Sequence, residues 1–318
     1  MALTSENEQF KIGIDTGFGH TKYAYFKDGK MIVNKFPSVV AFASDNINDV
    51  SDGAYVFENR VFYVGELATK QASHSIEELI TYKALETYAP LLIAHAIHLE
   101  GLSKEKVSDI ICGLSPAHIE STGAFKERVS NFKVNKDVYG FNVRLLPQGV
   151  GAVTAIKSLP KTHKDFQEAE DYLVVDIGFN TVDVIFVYGK TIQKGKISEA
   201  NSFEKKGAIN IASMMQKHIS TQFKKEISLK EALAIVTKGI YRLRGEEHDL
   251  KEQIAEFKAN YTKDIMDFLE VKYGNEFDKM EKIYFVGGGG YFIDTKYAPH
   301  ISVFEQSEYF NAIGNLVF

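Results

Sequence analysis

The sequence predicts an α/β protein of two similar lobes, and three observations carry that expectation. An apolar strand, an Asp-x-Gly-Phe bend and a second strand occur near the start of the chain and again about half a chain later. Strands that end in glycine-rich bends are followed by runs at helical spacing. The length of 318 residues, with 45% hydrophobic and 25% charged residues, suits one large globular domain or two of ordinary size. A repeat every twenty to fifty residues would indicate a solenoid, whereas a single echo at half length indicates two related halves.

Composition sets further bounds. A chain of this length buries roughly three quarters of its unfolded surface and needs no covalent staples. The single cysteine, Cys112, excludes an intrachain disulfide and a cysteine-based zinc site. Lys and Arg number 37 against 42 Asp and Glu, a net charge of −5, which argues against direct, non-specific binding to a phosphate backbone. The polar, acidic start from Met1 to Gln9 does not read as a signal peptide. The longest apolar stretch, Ala89 to Leu99, is interrupted by His95 and His98 and is too short to span a bilayer. A soluble, cytoplasmic protein with no membrane contact is expected.

The first copy of the echo runs from Lys11 through Asp15, Gly17, Gly19 and Lys22 into Tyr23–Phe26 and a turn at Asp28–Lys30. The second runs from Leu173 through Asp176, Gly178 and Asn180 to Asp183, then Val184–Val187 and a turn at Tyr188–Lys190. Each reads as a β-hairpin with glycine at the bend. Gly17 and Gly178 allow backbone N–H groups to point outward and cradle phosphate oxygens. Asp15 and Asp176 each end a buried strand, where an unpaired carboxylate is costly. A hydrated Mg²⁺ shared between the lobes would compensate both charges, and Lys22 is placed to reach a phosphate as a point charge. One such hairpin alone is most often an ordinary turn; two in matched register point to a nucleotide clamp. The third glycine of a dinucleotide fingerprint is replaced by Lys22, and Gly189-Lys190-Thr191 lacks the leading glycine of a P-loop.

Lys282–Val286 reads as a strand running into Gly287, Gly288, Gly289 and Gly290, followed by a helix-capable segment from Tyr291. Such a run is either a flexible linker or a place where a flat group lies against backbone; the tight setting favours a nucleoside. Val107–Leu114 reads as a central strand that buries Cys112 as a core thiol rather than a nucleophile. Asn142–Leu146 reads as another strand, and Pro147-Gln148-Gly149-Val150-Gly151 precedes a helical run from Val153 to Leu159, so the bend could act as an interlobe hinge. Gln148 is an uncharged group able to orient a water, although most loop glutamines are merely solvated. Lys251–Tyr273 places Ile254, Phe257, Tyr261, Ile265, Phe268 and Leu269 on one helical face, and Ser228–Arg242 reads as a helix with Ser228 and Glu231 forming a capping box. Gln216–Lys230 is a mixed charged surface. The histidines, His74, His95 and His163 among them, show no metal-binding spacing. Val33–Glu66, with its polar tract at Ser44–Gly53, reads as a variable insertion.

The order of these pieces (Asp-x-Gly hairpin, Pro-Gln-Gly-x-Gly bend, second Asp-x-Gly hairpin, glycine run) resembles the actin/Hsp70/sugar-kinase superfamily. Within it the chain from Ile12 to Phe318, including Ser108–Pro116 and Asn311–Gly314, is most similar to actin-like ATPases of the ParM/StbA plasmid-segregation type and to archaeal actin-like proteins. The resemblance implies an actin-like, ribonuclease H-like duplicated α/β fold with a nucleotide cleft between two lobes. The first lobe would comprise residues 1–152 with 297–318 and a small insertion at about 33–90. The second would comprise 153–296 with a small subdomain at about 205–250. It further implies ATP, or GTP, with Mg²⁺, hydrolysis, and nucleotide-dependent filaments.

Carried over by position, Asp15, Gly17, Phe18, Gly19, Thr21 and Lys22 would form the first phosphate loop. Asp176, Gly178, Phe179, Asn180 and Thr181 would form the second. Glu204 and Lys205 would contact the nucleoside, with Gly287–Gly290 under adenine. Gln148 and Asp176 would be catalytic, orienting and positioning the attacking water, and Asp15 and Asp176 would hold Mg²⁺ through water. Phe18 and Phe179 depart from the polar or glycine residues common in relatives, which implies slower hydrolysis or a rearranged phosphate pocket. The functional expectation is a self-assembling ATPase that segregates or positions plasmid DNA through a DNA-binding adaptor, without touching nucleic acid itself. A monomeric small-molecule kinase of the same fold is the alternative. A chaperone ATPase is set aside because no substrate-binding domain follows Phe318.

Overall fold

In the computed structural model, which describes residues 9–47, 50–71, 75–79, 81–158 and 169–318, the chain divides into two units. One comprises Met1–Ser158 with Tyr309–Phe318 and the other Leu159–Glu308. His74, His163, Leu159, most of the Met1–Gln9 segment and part of the Ser44–Gly53 tract lie outside the described residues.

In the first unit β1 (Phe10–Thr16), β2 (His20–Lys27) and β3 (Lys30–Pro37) form a meander. The turns supply the left-handed backbone this needs, with Asp28 at φ 51° and Gly29 at φ 72°. A separate four-stranded sheet follows, built from β4 (Val39–Ser44), β5 (Tyr55–Phe57), β6 (Arg60–Val64) and β7 (Ile76–Glu78) in the order β5-β6-β4-β7. Helix α1 (Glu66–Gln71) packs on it and buries Ala68. The insertion expected over about 33–90 is therefore narrower, because Val33–Pro37 pair with β2 in the main sheet.

Helix α2 (Tyr82–Leu99) starts at Thr81, whose hydroxyl accepts from the Ala84 amide at 3.2 Å. Its apolar stretch from Ala89 to Ile97 is buried, which makes it a core helix, as its length requires. The far end of α2 is pinned to the meander by Glu100, which accepts from Tyr23 and Tyr25 at 2.7 Å each and from Asn34 at 2.8 Å. Burial pushes the Glu100 carboxyl up, but the bonds from Tyr25, Tyr23 and Asn34 outweigh it and hold the group below its ordinary value.

Strand β8 (Val107–Leu114) pairs in parallel with β1, helix α3 (Thr122–Ser130) leads to the hairpin of β9 (Asn131–Val134) and β10 (Asp137–Gly140), and β11 (Asn142–Pro147) pairs in parallel with β8. The sheet order is β11-β8-β1-β2-β3. Helix α4 (Val150–Ser158) and the C-terminal helix (Phe310–Val317) both belong to this unit. They approach so closely that a Cβ on Gly314 would overlap the Gly151 carbonyl, and the C-terminal helix lies so close to β1 that one on Gly13 would overlap the Ala312 carbonyl. Glycine at 314 and at 13 is a steric requirement of these two contacts.

The second unit repeats the plan. β12 (Tyr172–Ile177) and β13 (Thr181–Tyr188) form the second hairpin, with β14 (Thr191–Ile192) and β15 (Ser202–Glu204) both antiparallel to β13. Then come helices α5 (Ile209–Phe223) and α6 (Leu229–Lys238), the hairpin β16 (Ile240–Leu243) and β17 (Glu246–Asp249), and helix α7 (Lys251–Tyr273). β18 (Lys282–Val286) pairs in parallel with β12, and β19 (Ile301–Val303) with β18. The relation of β18 to β12 is that of β8 to β1. Alternate residues Leu173, Val175 and Ile177 share a core with Ile211, Met215, Tyr261, Ile265 and Leu269, so α7 buries the face that its spacing predicts, with Phe257 and Phe268 at the margin.

Three expected boundaries differ. Ser228 caps α6 through the Glu231 amide at 3.1 Å, but the helix stops at Lys238 because Gly239 turns left-handed at φ 81°; Ile240–Leu243 is a strand. Residues 297–308 join the second unit rather than the first, since β19 extends the β18 edge. Helix α4 falls in the first unit, because it packs on the C-terminal helix.

His95 of α2 is buried and bonds Tyr55 Oη through Nδ1 at 2.8 Å, with Phe36 packed edge-on. Burial, helped by His98, holds its pKa down to about 4. The unfolded chain protonates this histidine below about pH 6.5, so stability falls as pH drops from there towards 4. From pH 7 to pH 5 the expected loss from this group is about 2 kcal/mol. Urea unfolding at both pH values should show His95→Gln losing that much less than wild type; equal pH dependence would contradict the assignment.

Candidate functional site

Two loops carry the sequence-predicted residues, one in each unit. In the first, the cross-strand register sets Asp15 opposite Lys22 and Thr16 opposite Thr21. Asp15 is 3% exposed, and both carboxylate oxygens are engaged: Lys22 Nζ reaches Oδ2 at 3.0 Å and Gln148 Nε2 donates to Oδ1 at 2.8 Å. The buried acid is thus neutralised by its own hairpin, and Lys22 is turned onto Asp15 rather than outward. Gly17 makes room for this, since a Cβ there would meet Lys22 Nζ at 3.0 Å. Gln148 is held in turn by its amide, which donates to the Leu114 carbonyl at 2.8 Å.

Other residues of the first loop take different positions from those expected. Thr21 is fully buried with its hydroxyl bonded to Ser38 Oγ at 2.9 Å, and the Ser38 amide donates to the Gly19 carbonyl at 3.0 Å. Its side chain braces the loop from inside. Phe18 is buried too, so the loop presents its main chain and not that ring. Ser38 was not singled out in the sequence, and a serine after proline carries no local sign of such a role.

In the second loop, Gly178, Phe179 and Asn180 connect β12 to β13, and the Gly178 amide closes the bend on the Thr181 carbonyl at 2.9 Å. The carbonyls of Gly178, Phe179 and Asn180 accept from the amides of Ala208, Ile209 and Gly207 at 3.0, 2.8 and 3.1 Å. Gly207 is required there, because a Cβ would lie 2.6 Å from the Gly178 and Phe179 carbonyl oxygens. Phe179, Asn180 and Thr181 are all buried. Glu204 pairs with Thr181 at the end of β15, and Lys205 follows at φ 58°; both are exposed.

Asp176 is 5% exposed and stands directly opposite Asp183 across the hairpin. Asp183 thus occupies the place that Lys22 holds in the first copy, and Ser202 donates to it. Directly opposed side chains share a sheet face, where like charges are destabilising. Asp183 ends the second copy of the echo in the sequence, but only the register shows that it faces the acid.

The glycine run packs mostly on protein. Gly287 turns left-handed at φ 78°, and a Cβ there would overlap Asp176 Oδ1 and lie 2.5 Å from the Ile177 carbonyl. A Cβ on Gly289 would overlap the Ile177 side chain. Gly287, Gly289 and Gly290 are buried, whereas Gly288 is exposed and faces open space. The helix expected from Tyr291 is one 3-10 turn, Gly290–Phe292. Burial pushes the Cys112 thiol well above its ordinary range, which fits a core residue. Among the described residues no group of three or more His, Cys, Asp or Glu side chains could hold a metal by itself, and no helix is long and apolar enough to cross a membrane.

Comparison with known proteins gives the class. Residues 13–151 match the family model for the actin like proteins N terminal domain, and residues 174–298 match that for the archaeal actin homologue MreB-like, C-terminal. One match lies within each unit, and the chain belongs to the actin-like proteins. No curated protein sequence matches it. A ParM filament from Clostridium botulinum is similar in structure at TM-score 0.73 and 21% identity over 98% of both chains. An archaeal actin homologue in complex with ADP scores 0.71 at 20% identity, over 97% of this chain and 98% of that one. Bacillus thuringiensis ParM with ATP scores 0.64 at 16% identity over 98% of both. The fold is therefore actin-like.

The glycine geometry makes a direct prediction. Gly287→Ala should destabilise the protein by more than about 2 kcal/mol through strain and overlap. Gly288→Ala should change stability by less than about 0.5 kcal/mol. Urea denaturation of the two variants checks the contrast, and equal effects would contradict it.

Proposed function

We propose that the chain is an actin-like ATPase that assembles into filaments with nucleotide, and that its two matched hairpins are phosphate loops for a magnesium nucleoside triphosphate. The observation that carries this reading is the matched pair of acidic hairpins, Asp15–Lys22 and Asp176–Asp183, on the same strand plan in both units. ATP is the nucleotide proposed, with GTP the other candidate. Similarity to a ParM filament, to an archaeal actin homologue in complex with ADP and to a ParM with ATP supports it.

Gly17, Phe18 and Gly19 in the first loop, and Phe179 and Asn180 in the second, grip phosphate oxygens through backbone amides, while the Gly178 amide shapes the second bend by closing it on Thr181. The buried rings of Phe18 and Phe179 supply no polar contact, which favours slower hydrolysis or a rearranged phosphate pocket. Thr21 and Thr181 support the loops from within. Lys22 leaves Asp15 to pair with a phosphate, Gln148 orients the attacking water, and Asp176 positions it. Glu204 and Lys205 are exposed where they can meet the nucleoside, and Gly288 is the member of the glycine run open to adenine.

The donor set fits a hydrated Mg²⁺, which needs few carboxylates. Asp176 and Asp15 would be the acids that serve it through water, and a cation beside Asp176 would offset the acid opposed to it at Asp183. The ion supplies neutralisation of phosphate charge. Filaments of this acidic chain act on plasmid DNA in the cytoplasm through a DNA-binding adaptor, without direct contact to nucleic acid.

Sedimentation and phosphate release test this together. Wild type should pellet with Mg-ATP and stay in the supernatant without nucleotide. Gln148→Ala should cut phosphate release by about 10²-fold while still pelleting. Absence of nucleotide-dependent assembly, with phosphate passed to a small acceptor, would overturn the filament reading in favour of a kinase.

A further inference from the structure

We infer that the C-terminal helix sets the geometry of the Asp15–Gln148 pair, with Asn311 and Asn315 as positioning residues. The inference rests on the proposed ATPase for its kinetic consequence but not for its structural content.

Helix α4 begins at Val150, one residue past Gln148's neighbour Gly149, and its first amides need an acceptor. No local side chain supplies one, because Gly149 has none and Gln148 is turned to Asp15. Asn311 meets the need from the other end of the chain: its Oδ1 accepts from the Gly149 amide at 3.1 Å and the Ala152 amide at 3.2 Å. One helical turn further on, Asn315 Nδ2 donates to the Ile14 carbonyl at 3.1 Å, the residue before Asp15. Both asparagines are buried.

The same helix face therefore holds the backbone on either side of the pair, just before Asp15 and just after Gln148. The glycines at 13, 151 and 314 let the three backbones come close enough for these bonds. Asn311 acts through Gln148 and touches no reacting atom, so its effect is on turnover and not on nucleotide affinity.

Asn311→Ala, Asn311→Asp and Gln148→Ala, with the Asn311→Ala/Gln148→Ala double variant, test this. In the ligand-free protein, Asn311→Ala should speed hydrogen exchange at the Gly149 and Ala152 amides and at the Gln148 carboxamide by at least about tenfold. Asn311→Asp, which keeps the acceptor, should stay near wild type. In ATP turnover, Asn311→Ala should lower kcat at least about tenfold with KM within about twofold, Asn311→Asp should restore most of it, and Asn311→Ala should add no loss to Gln148→Ala.

Unchanged exchange in Asn311→Ala, equal loss in both Asn311 variants, or losses that multiply with Gln148→Ala would each overturn the inference. If Asn311→Ala fails to fold, Asn311→Ser, whose hydroxyl falls short of the two amides, should show the same direction of change. A wild-type protein that turns over no nucleotide would sink the ATPase reading, and the exchange measurements would still decide this one.

Discussion

Everything in the first loop follows from one buried carboxylate. Asp15 ends β1 where solvent cannot reach it, and an isolated charge there would be costly. Lys22 and Gln148 take one oxygen each, which ties the two strands of the hairpin to the bend that precedes α4. Removing Lys22 leaves a buried charge without its counter-ion, an effect larger than the worth of the intact pair, and removing Gln148 leaves one carboxylate oxygen without its donor. A Cβ on Gly17 would sit 3.0 Å from Lys22 Nζ and press on this ion pair.

The second unit solves the same geometrical problem with opposite chemistry. The hairpin, its register and the parallel partner strand recur, but Asp183 stands where Lys22 stood. One copy is neutral through an internal ion pair, and the other accumulates acid at the matching place. The two copies share a strand plan and differ in the charge set opposite the acid, Lys22 in one and Asp183 in the other.

Both hairpins were legible in the sequence because β-branched strands, a two-residue spacing to glycine and a matched Phe leave few alternatives. Helix α7 was equally plain from its apolar period. The glycine run was legible as a place needing close approach, but not what approaches: at Gly287 and Gly289 it is the protein's own Asp176–Ile177 backbone and side chains. Periodicity carried α6 past its end because Ile240 and Tyr241 continue an apolar pattern that Gly239 interrupts only through its backbone angle. Thr21 looked available as a loop hydroxyl until its partner Ser38 came from beyond β3. Asn311 and Ser38 act across long chain separations, and local pattern holds no trace of such pairings.

The central claim is that the acids ending β1 and β12 both serve a magnesium nucleotide. Titration calorimetry of Mg-ATP into wild type, Asp15→Ala and Asp176→Ala addresses it most directly. The account expects heat and a defined affinity for wild type, with at least a tenfold weaker Kd for each variant. Unaltered affinity in either variant would contradict it.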